Sequence, residues 1–93
     1  MTSMTPVEIY AILPSVFELF FPGKTYSVKN TSSDIEDESE WYCIENGVKY
    51  CVKYDFIENH LEVFSVTEYS FIMNTYIEGS PEDIIKVSKI LKQ

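Results

Sequence analysis

The sequence predicts an α+β domain: an antiparallel meander sheet of four to five strands flanked by an N-terminal, kinked helix and a C-terminal helix, as a two-layer sandwich. Three observations predict it. Thr5-Pro6-Val7-Glu8 and Ser80-Pro81-Glu82-Asp83 are both helix starts, one near each end of the chain. Asn46-Gly47 lies between two apolar-rich runs and supplies the positive φ angles of a two-residue hairpin. From there to Glu78 the chain holds further strand-like runs and no third helix start.

The first helix is capped by Thr5. Pro6 at its first position lacks only an N–H that would have had no helical partner, and Glu8 is placed to bond back to the cap. Apolar residues follow from Val7 to Phe21, and Pro14 removes the hydrogen bond to the Tyr10 carbonyl, which predicts a kink or a two-part helix. Pro22-Gly23 ends it. Lys24 to Lys29 alternates, with Tyr26 and Val28 on one side, and predicts strand one.

Residues 30–40 contain Asp34, Glu36, Asp37, Glu38 and Glu40 with Ile35 as the sole apolar side chain, a composition that predicts a mobile acidic loop. The hairpin comes next. With Asn46-Gly47 as its turn, Glu45 faces Val48, Cys43 faces Tyr50 and Trp41 faces Val52. Trp41, Cys43, Val48, Tyr50, Val52, Tyr54 and Phe56 then share one side, with Tyr42, Ile44, Lys49, Cys51 and Lys53 on the other. Cys43 and Cys51 therefore point to opposite faces and are not expected to pair.

Glu58-Asn59-His60 predicts a second turn, leading to a strand with Leu61 and Val63 on the Tyr54 side and Phe64 opposite. Glu68 to Glu78 is apolar on both sides and reads as a fifth strand, with a buried helix as the rival. The last helix carries acids in its first turn, Lys86, Lys89 and Lys92 toward its end, and Ile84, Val87 and Leu91 inward.

Ninety-three residues make room for one core, so residues 1–93 are expected to form a single domain. Seven basic residues, all lysine, against fifteen carboxylates give a formal charge of −8. That charge repels phosphates and anionic lipid, and so argues against direct nucleic-acid or membrane binding and for a basic protein partner, in particular one that itself binds nucleic acid. The start MTSMTPVE has no basic n-region and no run reaches the length of a membrane span, which leads us to expect a soluble protein of the cytoplasm.

Chemistry-bearing motifs are sparse. His60 is the single histidine, placed at a turn with nothing in the register to bring a cysteine to it. The acidic run lacks the ligand spacing and central glycine of an EF-hand, Asn30-Thr31-Ser32 is a glycosylation pattern with no weight in an intracellular chain, and the three glycines are punctuation and not a phosphate loop. No enzyme, cofactor or metal is expected.

The expected function is non-enzymatic binding of a basic protein surface, as an inhibitor or nucleic-acid mimic. In composition alone the chain resembles small acidic phage or mobile-element proteins of anti-defence, anti-CRISPR-like type. The alternatives are an immunity or antitoxin protein for a basic toxin and, in another class, an oligomeric structural or assembly protein. Asp34, Glu36, Asp37, Glu38 and Glu40 are the expected electrostatic contacts, with Trp41 and Tyr42 as aromatic anchors. A second apolar set, Ile44, Phe64, Ile72 and Tyr76 with Tyr42, lies opposite the Trp41 side. Either one helix covers each face, giving three layers, or this face is a homodimer or partner interface.

Overall fold

A computed structural model describes residues 5–33 and 36–91, with the side chains of 6, 30–37 and 87–91 outside the described set. The element order is α1 (Pro6–Phe20), β1 (Ser27–Ser33), β2 (Glu36–Glu45), β3 (Val48–Asp55), β4 (His60–Thr67), β5 (Met73–Gly79) and α2 (Pro81–Leu91). The five strands pair in chain order as an antiparallel meander, the α+β arrangement expected from the sequence.

Local chemistry sets each helix start. The Glu8 amide donates to Thr5 Oγ1 at 3.3 Å while the Thr5 amide donates to Glu8 Oε1 at 3.1 Å, a reciprocal capping box. At the second, the Asp83 amide donates to Ser80 Oγ at 3.3 Å. Helix α1 runs as one element with Pro14 inside it, held by the packing of Ile9, Leu13, Val16 and Phe17.

Both helices lie on the same face of the sheet. Ile9, Leu13, Phe17 and Phe21 from the α1 region and Ile84 from α2 share one core with Trp41, Val52, Tyr54, Leu61 and Val63. One helix on each face, the three-layer alternative, is not what forms: no helix among the described residues packs on the opposite face. Val87 and Leu91 fall outside the described side chains. The Cα trace is about 20 Å through its thinnest direction, as two layers require.

The hairpin register is the one Asn46-Gly47 implies: Glu45↔Val48, Cys43↔Tyr50, Trp41↔Val52. Both residues have positive φ, 52° and 74°. Two expectations are corrected. Strand β1 covers Ser27–Ser33 and not Lys24–Lys29, and residues 36–40, read as part of a loop, are the first half of the ten-residue β2. The reason is the ladder. Glu38, Ser39 and Glu40 extend the hairpin against Asp55, Tyr54 and Lys53, and β1 pairs along the other side of β2. Ser39, on the helix side, is buried and hydrogen-bonded to the Tyr10 hydroxyl at 2.5 Å.

The fifth strand is real but shorter than expected. Residues 68–70 are turn and β5 starts at Met73. Val63 pairs with Ile77 while Phe64 pairs with Thr75, so Tyr76 is an extra residue, a β-bulge.

Candidate open-face interface

The residues of the uncovered face follow from register alone. Across the sheet they form rows: Ile44, Lys49, Val66 and Met73; then Tyr42, Cys51, Phe64 and Thr75; then Lys29, Glu40, Lys53, Glu62 and Glu78; then Glu38, Asp55 and His60. The face is therefore polarised along the strands. Apolar residues gather at the end with the β2–β3 and β4–β5 turns, and carboxylates at the other.

At the carboxylate end, two like-charged pairs stand directly opposite one another, Glu38↔Asp55 and Glu62↔Glu78. Such cross-strand pairs oppose folding. Lys53 stands among them, with its Nζ 3.6 Å from Glu38 Oε2, and His60 Nε2 lies 3.6 Å from Glu78 Oε2. Asp55 also takes up the amides of Ile57 and Glu58 at 2.9 and 3.2 Å, which shapes the β3–β4 turn. Glu38, Lys53, Asp55, His60 and Glu62 line a notch of about 100 Å3.

The middle of the face is closed over by its own charges. Lys49 Nζ lies 3.2 Å from Glu40 Oε1 and 5.3 Å from the centre of the Tyr42 ring, and the Cys51 thiol donates to the same Glu40 oxygen at 3.4 Å. Burial pushes the Glu40 carboxyl up, but the Lys49 hydrogen bond and charge, with the Cys51 thiol, outweigh it and leave it below the ordinary carboxylate value. Burial, then the Glu40 charge, pushes the Cys51 thiol far above its usual range, which disfavours the thiolate.

At the apolar end, the two turns are tied together. The Glu68 amide donates to the Gly47 carbonyl at 2.9 Å, and the Tyr69 ring packs over Gly47 where a Cβ would come within 3.4 Å of it. Phe71 has φ of 54°, a left-handed conformation costly for a bulky residue, and its side chain is 81% exposed. Tyr69, Ile72, Met73 and Ile44 are also exposed.

The expected contacts are scattered by this geometry. Asp34 lies outside the described residues, as do the side chains of Glu36 and Asp37 at the start of β2. Glu38, Glu40 and Tyr42 come together on the open face. Trp41 does not: it is 3% exposed on the helix side, its ring 5.4 Å from that of Tyr10, and cannot act as a surface anchor. Alternation put it there, since its neighbours Glu40 and Tyr42 point outward.

The second apolar set divides as well. Ile44, at 53% exposure, is on the open face, and Ile72, at 59%, is in the β4–β5 turn. Phe64 is on the open face but recessed, at 9%. Tyr76 is turned to the helix side by the bulge, with its ring 5.3 Å from Phe21 and its hydroxyl 3.4 Å from Ser65 Oγ. Glu78, Tyr69, Phe71 and Met73 were missed as contacts, whereas Asp55 and Glu62 were expected only as part of a wider negative surface around the sheet. The two-residue period of Glu36, Glu38 and Glu40 could have signalled a strand with an acidic outer side.

Cys43 and Cys51 are both free and occupy opposite faces, as the register required. No group of three His, Cys, Asp or Glu among the described residues is placed to hold a metal ion. An open cleft of about 530 Å3 lies between α1 and Gly23–Tyr26, lined by Pro14, Phe17, Glu18 and Lys24 among others. No helix among the described residues is long and apolar enough to cross a membrane. Compared with protein-family models, curated proteins and solved structures, the chain finds no match.

Proposed function

We propose that this protein is a non-enzymatic binder whose open sheet face occupies a basic surface of a protein partner, as an inhibitor or nucleic-acid mimic of anti-defence type would. The observation that carries this reading is the pair of opposed carboxylate sets, Glu38 with Asp55 and Glu62 with Glu78, on a face that no helix covers. Within each pair the like charges repel, a cost that Lys53, His60 and the amides of the β3–β4 turn offset only in part. A partner's lysines and arginines would relieve that repulsion, and the formal charge of −8 would speed their approach.

The decisive comparison is between the wild-type protein and the triple variant Glu38→Gln, Glu62→Gln, Glu78→Gln, each immobilised and challenged with lysate of the source cells in rising salt. A basic protein held by the wild type and released from the variant supports the reading and identifies the target. Retention by both, independent of salt, removes the carboxylates from the interface and with them the mimic. An immunity or antitoxin role belongs to the same class and differs only in the target found, a toxin in place of a nucleic-acid-binding host protein.

The exposed apolar end of the face favours one reading of another class, self-assembly into an oligomer. Mass in solution separates it: an oligomer that persists in high salt would support assembly, and a monomer the binder.

A further inference from the structure

The open face carries two unlike halves, and an occupant must answer both. Resting on the reading of a basic protein partner, we propose that the segment it presents is a cationic amphipathic helix laid along the strands. Its apolar side chains sit on Ile44, Val66 and Met73 and reach the exposed Phe71 in the adjoining β4–β5 turn, and its lysines or arginines lie over Glu38, Asp55 and Glu62.

Geometry sets the length. Ile44 and Glu38 are six residues apart on β2, about 20 Å at a strand rise of roughly 3.3 Å per residue. A helix rising about 1.5 Å per residue covers the same distance in roughly thirteen residues. Charge sets the direction. Four carboxylates (Glu38, Asp55, Glu62 and Glu78) outnumber two lysines, Lys29 and Lys53, at one end, while the row through Ile44, Val66 and Met73 at the other contains only Lys49, and that lysine is held by Glu40.

Other occupants fit less well. A second copy laid parallel would set carboxylates on carboxylates, and laid antiparallel would bury carboxylates under apolar side chains without partners. An anionic membrane is repelled by the acidic half. Addition of a strand to the β5 edge is opposed by the bulge at Tyr76, which interrupts the ladder.

Phe71 supplies an independent argument. A large aromatic side chain in a left-handed conformation, and exposed, weakens the fold at a place where Asn or Gly would be easier. At 81% exposure it takes no part in the core and is suited to anchor an incoming apolar side chain, while the carboxylates steer.

Two synthetic peptides of equal positive charge test this. One is an amphipathic helix with leucines at one end of its face and lysines at the other; its control has the leucines replaced by serine. Calorimetry is expected to show the amphipathic peptide binding about tenfold more tightly, a gap set by its apolar contacts. Amide shifts should follow β2 to β5 and the 68–72 turn. Phe71→Asn should erase the difference between the peptides while raising the melting temperature, an outcome no purely structural role for Phe71 produces.

Equal binding of the two peptides would overturn the amphipathic occupant and leave the basic-surface reading standing. Binding of neither would overturn both. Shifts confined to the helices, a dimer dissolved by Phe71→Asn, or retention on vesicles rich in phosphatidylserine would each assign the face to another occupant and overturn the proposal.

Discussion

The two faces of this sheet are made from alternate residues of the same strands, yet they obey different rules. On the helix side, Trp41, Val52, Tyr54, Leu61 and Val63 meet Leu13, Phe17 and Ile84 with almost no exposure, and the buried Tyr54 and Ser39 hydroxyls are hydrogen-bonded to Asn59 and Tyr10. Every choice there favours the fold. On the open side Glu38 faces Asp55, Glu62 faces Glu78, and beyond the strands Phe71 holds an unfavourable backbone angle. Local rules of fold stability are broken most readily at sites that serve something else. The proposed function rests on this difference, on the side where no described helix packs.

The comparison is broken most directly by truncation on each side. Phe17→Ala should lower stability by about 3–5 kcal/mol, because it removes a fully buried ring and leaves a cavity that two rigid layers cannot close. Ile44→Ala, on the open face, should stay within about 0.5 kcal/mol. Urea denaturation measures both. A loss at Ile44 comparable to that at Phe17 would mean that the open face is covered in solution.

A smaller effect sharpens the contrast by reversing its sign. Glu62→Gln removes one member of an opposed carboxylate pair and should raise stability by about 0.2–1 kcal/mol at low salt, with the gain shrinking as salt screens the repulsion. The same variant is expected to bind a basic partner more weakly. Loss of stability on neutralising Glu62 would place it in a favourable network with Lys53, its partner across β3 and β4, and remove the tension on which the functional reading rests.

The two faces also differ in how far the sequence discloses them. The β2–β3 hairpin was legible because Asn46-Gly47 fixes a turn, a turn fixes a register, and a register assigns every side chain to a face. The helix starts were legible because capping is local. The acidic stretch was not, since five carboxylates in a short run suggest solvation, whereas the ladder that β2 forms with both neighbours is a long-range property. Tyr76 was misassigned for a related reason. Strict alternation from Ile72 puts it on the open side, and only the extra residue against Val63 and Phe64 turns it toward Phe21. Of the candidate site, Glu38, Glu40, Tyr42 and Ile44 could be read from alternation, but the gathering of Glu62, Glu78 and Phe71 around them depends on the meander closing.

The smallest expected effect concerns Glu40, where the two halves of the open face meet. Its carboxyl is held below the ordinary value because the Lys49 ammonium and the Cys51 thiol both favour the charged form, against the burial that disfavours it. A carboxyl whose pKa is lower folded than unfolded contributes stability above its unfolded pKa of about 4.3, and that contribution disappears as pH falls through the folded value. Lys49 and Glu40 retain contact with water, so the contribution at neutral pH should be a few tenths of a kcal/mol. Glu40→Gln should therefore be slightly less stable than wild type at pH 7, with the two converging as the solution is acidified below pH 4. A difference that stayed constant from pH 7 to pH 3 would show that Glu40 acts through packing over Cys51 and not through its charge, and the boundary between the acidic and apolar halves would then be steric.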